Sequence, residues 1–582
     1  MGKRKAADAA PDARPPAQAA APATQRRDPI RVMAKRHERQ AQQLRESQRL
    51  LNASFLEFLQ ANKDKAQTVE DACKEYLAHC DRIYAASAAR AAGPDLASRR
   101  GGVLYVVGSG DNGQLGLGEE LVECAKPRPV LAFGDLLVKA AACGGMHTLA
   151  LTEDGGAWSW GVNDEGALGR VVRGSCRVLA TLAALSAPFA QLPVDADSAG
   201  VANQTGWTPE RITFPGNAVI CALSGGDSHS AALATDGSVF AWGSFRDKSG
   251  CFGACTSSYA CAHMLSVLRA GFAPGVRTQG TPAQVFKPAS AGERVIAIES
   301  GADHVLLLSA DGTVRSFGCA EKGRLGRIAD PAESDLTVGD APAAQRDVLM
   351  RRITTPTLIP GLAQVVSIAA VRVCRWPWHI VERAEPCLQG SYSCFAITRS
   401  GHVYVWGLNN YGQLAIPQAE VNVVYVPRRV QLLEGRQIKS FASGEHHTLA
   451  ITTAGSLLSF GRPTYGRLGR NGVDVASDDA VHEPGEVPGF AGDPVVCANA
   501  GNSVSVAVTA SGAMYTWGDN NMGMLGKSTE DGSDEITPYR LTSSKHFPAV
   551  GGIAACVSGQ HVVWLAAPPA ETGGPAKKQR GA

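Results

Sequence analysis

The residues best suited to chemistry in this sequence are acids and imidazoles set in short segments that begin with glycine. Asp227 stands in GGDSHSAAL, Asp303 in GADHVLLL, His446 in GEHHTLAI and His561 just ahead of VVWLA. A second set follows segments that end in Trp-Gly or a similar pair: Asp111 in GSGDNGQLG, and Phe245, Arg246, Asp247, Lys248, Ser249 and Gly250 in SFRDKSG. Carboxylates and imidazoles can act as general acids and bases, as metal ligands, or as partners for the basic groups of another macromolecule. Spacing argues against the first two roles. No nucleophile–base pair, phosphate-binding Walker loop or zincin motif stands in a fitting context. His446-His447 looks like a catalytic or metal pair, but neighbouring residues of a strand point to opposite faces. Cys251, Cys255, Cys261 and His263 cluster loosely, at a spacing that matches no standard zinc pattern. The fifteen cysteines include no paired CxxC and read as ordinary reduced thiols of an intracellular protein. The expectation is therefore no metal, no cofactor and no bond-making chemistry. What remains is recognition by a surface.

The elements that must position these residues form a repeat. In residues 225–253, HSAALAT alternates as a half-buried strand, Asp236-Gly237 is a hairpin turn, and SVFAWG is the returning strand, with SFRDKSG as the loop that follows. The same grammar recurs at 144–169, 301–326, 390–415, 444–469 and 501–526, making six full copies. A seventh is split: VLYVVGSGDNGQLG opens the series at 103–116 and HVVWLA closes it at 561–566. The halves complete one unit if the chain ends meet, which predicts a closed ring with no open sheet edge at the closure. Copies spaced by roughly 55 residues suit four-stranded blades. The reading is all-β, a seven-bladed β-propeller over 103–567. The rival, a linear solenoid, would carry atypical capping repeats instead of complementary halves.

The repeat also predicts a common face. Each GxxH segment feeds an outgoing strand, the hairpin turns at the far end, and the returning strand comes back to the first end. Asp111, Asp227, Asp303, His446, His561 and Arg246 should then surround one mouth. His147, His229, His304 and His447 hold one repeat position in several blades and read as hydrogen-bonding frame. The residues that vary by blade carry the information.

Outside the repeats, charge is uneven. The chain has net charge +2, yet residues 1–49 hold twelve Lys/Arg and five Asp/Glu, so the remainder is mildly acidic. Residues 1–29 are Ala/Pro-rich and expected to be a disordered basic tail. Its Lys3-Arg4-Lys5 cluster reads as an import signal or as a merely solvated tail. Residues 30–90 read as a helical hairpin: Leu44, Leu51, Phe55, Phe58 and Leu59 form one apolar stripe, and Ala72, Tyr76, Cys80 and Ile83 another. Residues 91–102 are a linker and 568–582 a second disordered basic tail. Four insertions lengthen the propeller loops, at about 171–210, 254–281, 328–358 and 371–388, since loop closure tolerates length. The fourth, with Trp376 and Trp378, is either a binding loop or retained intron sequence. No apolar run suits a membrane span or a signal peptide, so no membrane partner is expected.

GSGDNGQLGLGE, GGMHTLAL, NDEGALGR, GDSHSAAL, WGSFRD, GEHHT and YGRLG, in that order, closely resemble the regulator-of-chromosome-condensation family, exchange factors for the small GTPase Ran. The resemblance covers about 103–567. It implies a chromatin-bound nuclear factor that promotes GDP release and GTP loading in nucleocytoplasmic transport and mitosis. It implies that Asp227, Asp303, His446 and His561 engage the GTPase around its nucleotide, that Asp111 is a further contact, and that Phe245–Gly250 form a wedge. DKSG replaces a more Asn-rich wedge tip. Arg346, Arg351 and Arg352 fall where the family has a histone-contacting loop, although the local sequence diverges. Histones, nucleosomal DNA and an import receptor for the basic tail are the further partners implied. LNASFLEFLQANKDKAQTVEDACKEYLAHCDRI is similar to a helical segment of small nuclear-basket nucleoporins, which implies a nuclear-pore or transport-factor contact. The alternative is a propeller scaffold or chromatin adaptor without exchange activity.

Overall fold

Each repeat closes as one antiparallel sheet, and seven such sheets make up the computed structural model. It describes residues 101–163, 165–170, 205–253, 279–369, 373–374, 392–527, 532–544, 547–548 and 550–568. Lys3, Arg4, Lys5, the 30–90 hairpin, both tails, Cys255, Cys261, His263, Trp376, Trp378 and most of the 171–210, 254–281 and 371–388 insertions lie outside the described residues. Blades 1 to 6 span 138–211, 220–286, 295–358, 365–429, 438–486 and 495–540. Blade 7 takes two strands from each end of the propeller sequence. Its order is Gly552–Val557, His561–Ala566, Val103–Ser109, Glu123–Pro129. Leu104 pairs with Leu565 and Gly108 with His561, so the split repeat closes the ring as the complementary halves predict. The first strand of each blade touches the first strands of its neighbours, which places those strands around the axis.

Local chemistry explains the blade. At the Asp236-Gly237 turn, Gly237 sits at φ 87°, where a side chain is strained, and Asp236 Oδ1 accepts the Ser238 N–H at 2.8 Å. Gly243 ends the regular part of the returning strand at φ 90°, and a Cβ there would lie 2.3 Å from the Ser228 carbonyl oxygen. Strand residues alternate between two blade faces, and both faces are buried because blades stack on one another. Trp160, Trp242, Trp406, Trp517 and Trp564 are the largest fully buried side chains.

Polar ties run between blades as well. The indole N–H groups of Trp160, Trp242, Trp406 and Trp517 donate to the carbonyls of Gln114, Ala167, Arg324 and Arg467 at 2.8–3.0 Å, each in the trailing loop of the preceding blade. The repeated histidines reach the other way. His147 Nε2 meets Ser230 Oγ at 2.9 Å, His304 Nε2 meets Cys394 Sγ at 3.0 Å and His447 Nε2 meets Ser505 Oγ at 2.7 Å, always in the next blade. Each such bond contributes about 1 kcal/mol net, and each would leave a buried group unsatisfied if broken. His229 differs. Blade 3 offers Val305 at the receiving position, and neither ring nitrogen of His229 has a hydrogen-bond partner. Its ring instead packs 4.6 Å from that of Phe245.

Three segments depart from the loop expectation. SFRDKSG is not a loop: the returning strand runs unbroken as Val239–Asp247 and pairs with Gly250–Gly253, Phe252 opposite Phe245. The cause is apolar, since Phe245 packs edge-on against Phe317 and Phe252 buries beside Phe245 in the same core. In the 328–358 stretch a short helix, Pro331–Ser334, is capped by Asp330, which accepts the Ala332 N–H. A longer helix, Ala343–Thr354, buries Leu349 and Ile353 at i, i+4 spacing. From the fourth insertion, Val373–Cys374 pairs with Ala142 and Ala141 on the first strand of blade 1, across the axis from blade 4.

Candidate functional site

The strand registers bring both loop classes to one end of the ring. His147 lies opposite Gly161, His229 opposite Gly243, His304 opposite Gly318 and His447 opposite Gly461. The leading loop that precedes each histidine and the trailing loop that follows each glycine therefore share a mouth, and Asp111, Asp227, Asp303, His446 and Arg246 all stand there.

Asp303 is the buried centre of this mouth, with 6% of its surface exposed. Its Oδ1 accepts the Arg246 backbone N–H at 2.8 Å and its Oδ2 accepts Arg324 Nη1 at 3.0 Å. Arg324, fully buried, also lies over the Tyr392 ring at 4.6 Å. Burial pushes the Asp303 carboxyl up, Arg324 pulls it back down, and the negative charge of Asp227 pushes it up again. Asp227, half-buried, comes from blade 2; its N–H donates to the Ala302 carbonyl at 2.8 Å, tying the blade 2 and blade 3 leading loops together. A single carboxylate thus joins blade 3 to the root of the blade 2 hairpin.

That hairpin projects from the mouth. Phe245 belongs to the core at 0% exposure, so the expected wedge surface begins at Arg246; Phe245 is its root. The Arg246 guanidinium grips the carboxylate of Glu165 in the blade 1 trailing loop, and Cys251 Sγ lies 2.9 Å from the same group. Burial pushes Glu165 up, but hydrogen bonds from Arg246 and Cys251 more than offset it and leave the carboxyl lowered. Lys248, Ser249 and Gly250 are exposed at the tip, with Gly250 at φ 117°.

His446 faces Tyr411 edge-on at 4.9 Å, and its side chain is 22% exposed. Burial, then Arg467 and Arg462, push its pKa down to about 4, so the imidazole is neutral near pH 7. Arg462 stacks over Tyr411 at 4.8 Å and bonds Asp478, and Arg467 lies 5.4 Å from the exposed Tyr465 ring. This side of the mouth is aromatic and its charges are mixed, with Arg462 paired to Asp478 and Glu445 3.7 Å from His446. Asp111 is an exposed turn residue of blade 7.

Two expectations need correction. His561 is not on the face: it is 0% exposed, bonds Thr148 Oγ1 at 2.8 Å and Ser558 Oγ at 2.7 Å, and fills the frame position of His147 and His447. It is the inter-blade tie at the ring closure. Arg346, Arg351 and Arg352 form no common cluster in a loop. They lie along the helix Ala343–Thr354, where Arg346 donates to the Ala341 and Gly339 carbonyls at 3.0 Å and Arg352 pairs with Glu333 at 3.0 Å. Arg351 is exposed in the last turn. Sequence reasoning missed Arg324, Tyr392, Glu165, Tyr411, Arg462 and Arg467. The signal that could have found two of them is the repeated tetrapeptide GRLG, which holds both Arg324 and Arg467. Among the described residues no three His, Cys, Asp or Glu side chains group to hold a metal ion.

The chain is similar to known proteins over this same region. The family model described as the RCC1-like domain matches residues 103–564. The regulator of chromosome condensation of Drosophila melanogaster is 33% identical over 80% of this chain and 68% of its own. The guanine nucleotide exchange factor SRM1 of Saccharomyces cerevisiae is 28% identical over 76% of this chain and 82% of its own. Two structures of the yeast protein Prp20 also match. One, studied for its binding to Gsp1p and histones, has TM-score 0.60 at 25% identity, covering 81% of this chain and 93% of the other. The second, bound to Kap60, has TM-score 0.59 at 26% identity, covering 80% and 90%. The split closing blade, the mouth of varied loops on a constant frame, and these matches lead to one conclusion: the chain belongs to the RCC1-like domain family, that of the regulator of chromosome condensation.

Proposed function

We propose that this protein is a guanine nucleotide exchange factor for the small GTPase Ran, acting on chromatin in the nucleus. The observation that carries the reading is the Asp303 carboxylate, which fixes the root of a projecting hairpin beside a mouth of Asp227, Asp111 and His446. Exchange needs no bond chemistry from the factor. A GTPase holds its nucleotide through backbone amides, a lysine and Mg²⁺. A surface that binds the nucleotide-free state better than the loaded state must, by linkage, weaken the nucleotide by the same factor. The hairpin tip is the group that would displace the phosphate-binding region, and Asp227 and Asp111 are acceptors for the basic groups this displacement frees. Nucleotide supply then sets the direction of loading. The names of the relatives support this reading, as does the reported binding of yeast Prp20 to Gsp1p and histones.

Histones and nucleosomal DNA as anchors, with the exposed Arg346, Arg351 and Arg352 as candidate contacts, and an import receptor for the Lys3-Arg4-Lys5 tail complete the proposal; the Kap60 complex of the yeast relative supports the last. The test is release of labelled GDP from Ran by the full chain and by Asp303→Ala, with circular dichroism to check that the variant folds. Acceleration by the wild type and its loss in the folded variant are expected. A wild type that binds nucleosomes yet leaves GDP release unchanged overturns the exchange reading.

A further inference from the structure

The 328–358 insertion meets the blade 2 hairpin at its tip and at its root. Asp247 Oδ2 accepts the Val338 N–H at 2.8 Å, and Ser249 Oγ accepts the Gly339 N–H at 3.0 Å. Lys248 Nζ lies 3.6 Å from Asp340 Oδ2, and the Lys248 N–H donates to Glu321 Oε2 at 3.3 Å. Below these ties the two segments share one core, in which Ala341, Leu349 and Ile353 of the insertion pack with Phe245 and Phe252 of the hairpin. Arg346 holds the contacting turn from behind through the Gly339 and Ala341 carbonyls. On the opposite flank Arg246 is gripped by Glu165. A lone two-stranded hairpin is marginal in water, so a projecting one samples many tip positions unless something holds it. A tip already held in its working position loses less conformational freedom when it acts.

The geometry points to the 328–358 insertion as the brace that presets the wedge, with Val338, Gly339 and Arg346 as positioning residues for nucleotide release. This rests on the exchange reading. The brace enters through the position of the tip, not through contact with the GTPase, so it should govern the release step more than the affinity of the complex.

Gly339 permits a selective test. A Cβ built there lies 2.5 Å from Ser249 Cβ and 2.6 Å from Ser249 Oγ, meets nothing else closely, and the glycine is not in the left-handed region. Gly339→Ala therefore pushes on the wedge tip alone. In the full chain it is expected to lower kcat for GDP release about tenfold while KM for the GTPase stays within about twofold, as a small misplacement of an acting group does. Adding Ser249→Gly, which removes the opposing Cβ and with it the Oγ that accepts the Gly339 N–H, is expected to bring kcat back to the level of Ser249→Gly alone. Amide hydrogen exchange over 246–252 should quicken in Gly339→Ala while the blades stay protected. Unchanged kcat with unchanged hairpin protection overturns the brace, and so does a loss that the second substitution fails to relieve. A wild type without release activity overturns the exchange reading instead, and hairpin protection alone then decides the brace.

Discussion

Arg324 of blade 3 and Arg467 of blade 5 occupy the same position of the same tetrapeptide, GRLG, and both are buried. Both send their backbone carbonyl to a tryptophan of the next blade. Their side chains part company because of one residue in the leading loop. The second residue after the loop glycine is Asp303 in blade 3 and His446 in blade 5, and in each case its carbonyl accepts the N–H that follows the returning strand. Asp303 neutralises Arg324 in a buried pair that also grips the wedge root. Arg467 has no such carboxylate; it bonds the carbonyls of Thr464 and Asn502 and, after burial, is the next cause that keeps His446 neutral. The repeat supplies a frame, and a single side chain in that frame sets whether the mouth is locked by a buried ion pair or presents a neutral imidazole.

The most damaging way to break this comparison is Asp303→Ala. It leaves the Arg324 cation buried without its carboxylate and is expected to lower stability by about 3–5 kcal/mol. Adding Arg324→Met should restore most of that, by urea unfolding, yet not restore GDP release, because the Arg246 N–H still lacks its acceptor. An unaltered urea midpoint in Asp303→Ala would refute the buried-pair account. His446→Asp asks the converse, by giving blade 5 the arrangement of blade 3. The fold should persist with little change in Tm, and GDP release should slow about tenfold, or about 1.4 kcal/mol; release at the wild-type rate would mean that the charge of this side is irrelevant.

Acid sharpens the contrast. The folded pKa of His446 lies below the ordinary 6.5, so its neutral form contributes stability that is present above pH 6.5 and is lost as pH falls toward about 4. His446→Gln should therefore narrow the loss of stability on acidification by about 1.4 kcal/mol for each pH unit in that window. Matching pH profiles for the two proteins would remove the electrostatic account. The smallest effect separates frame from face. His447→Leu breaks the tie to Ser505 and is expected to lower stability by about 1–2 kcal/mol in thermal or urea unfolding. His229→Leu breaks no hydrogen bond and should cost less than half as much; equal losses would show that packing, not bonding, makes the histidine frame.

The periodic part of the molecule was legible before any coordinates. Apolar alternation, Asp-Gly turns and two complementary half-repeats are properties of neighbouring residues, and they determined the strands, the seven blades, the closure and the end at which the variable loops gather. The identity of the varying residues also marked Asp227, Asp303 and His446 as unlike the frame. What the pattern could not show lies between repeats. Asp303 meets Arg246 across 57 residues, Arg246 meets Glu165 across 81, and His561 meets Thr148 across 413. Its place just after Phe-Ala-Trp-Gly-Ser makes Phe245 resemble a wedge residue, and its divergent neighbours make His561 resemble a mouth residue, whereas stacking of one blade on the next buries both. Burial, partner and charge state are set by which side chains arrive together from different blades. Only the closed ring decided these, because local periodicity specifies where a residue stands in its own sheet and not what the next sheet brings against it.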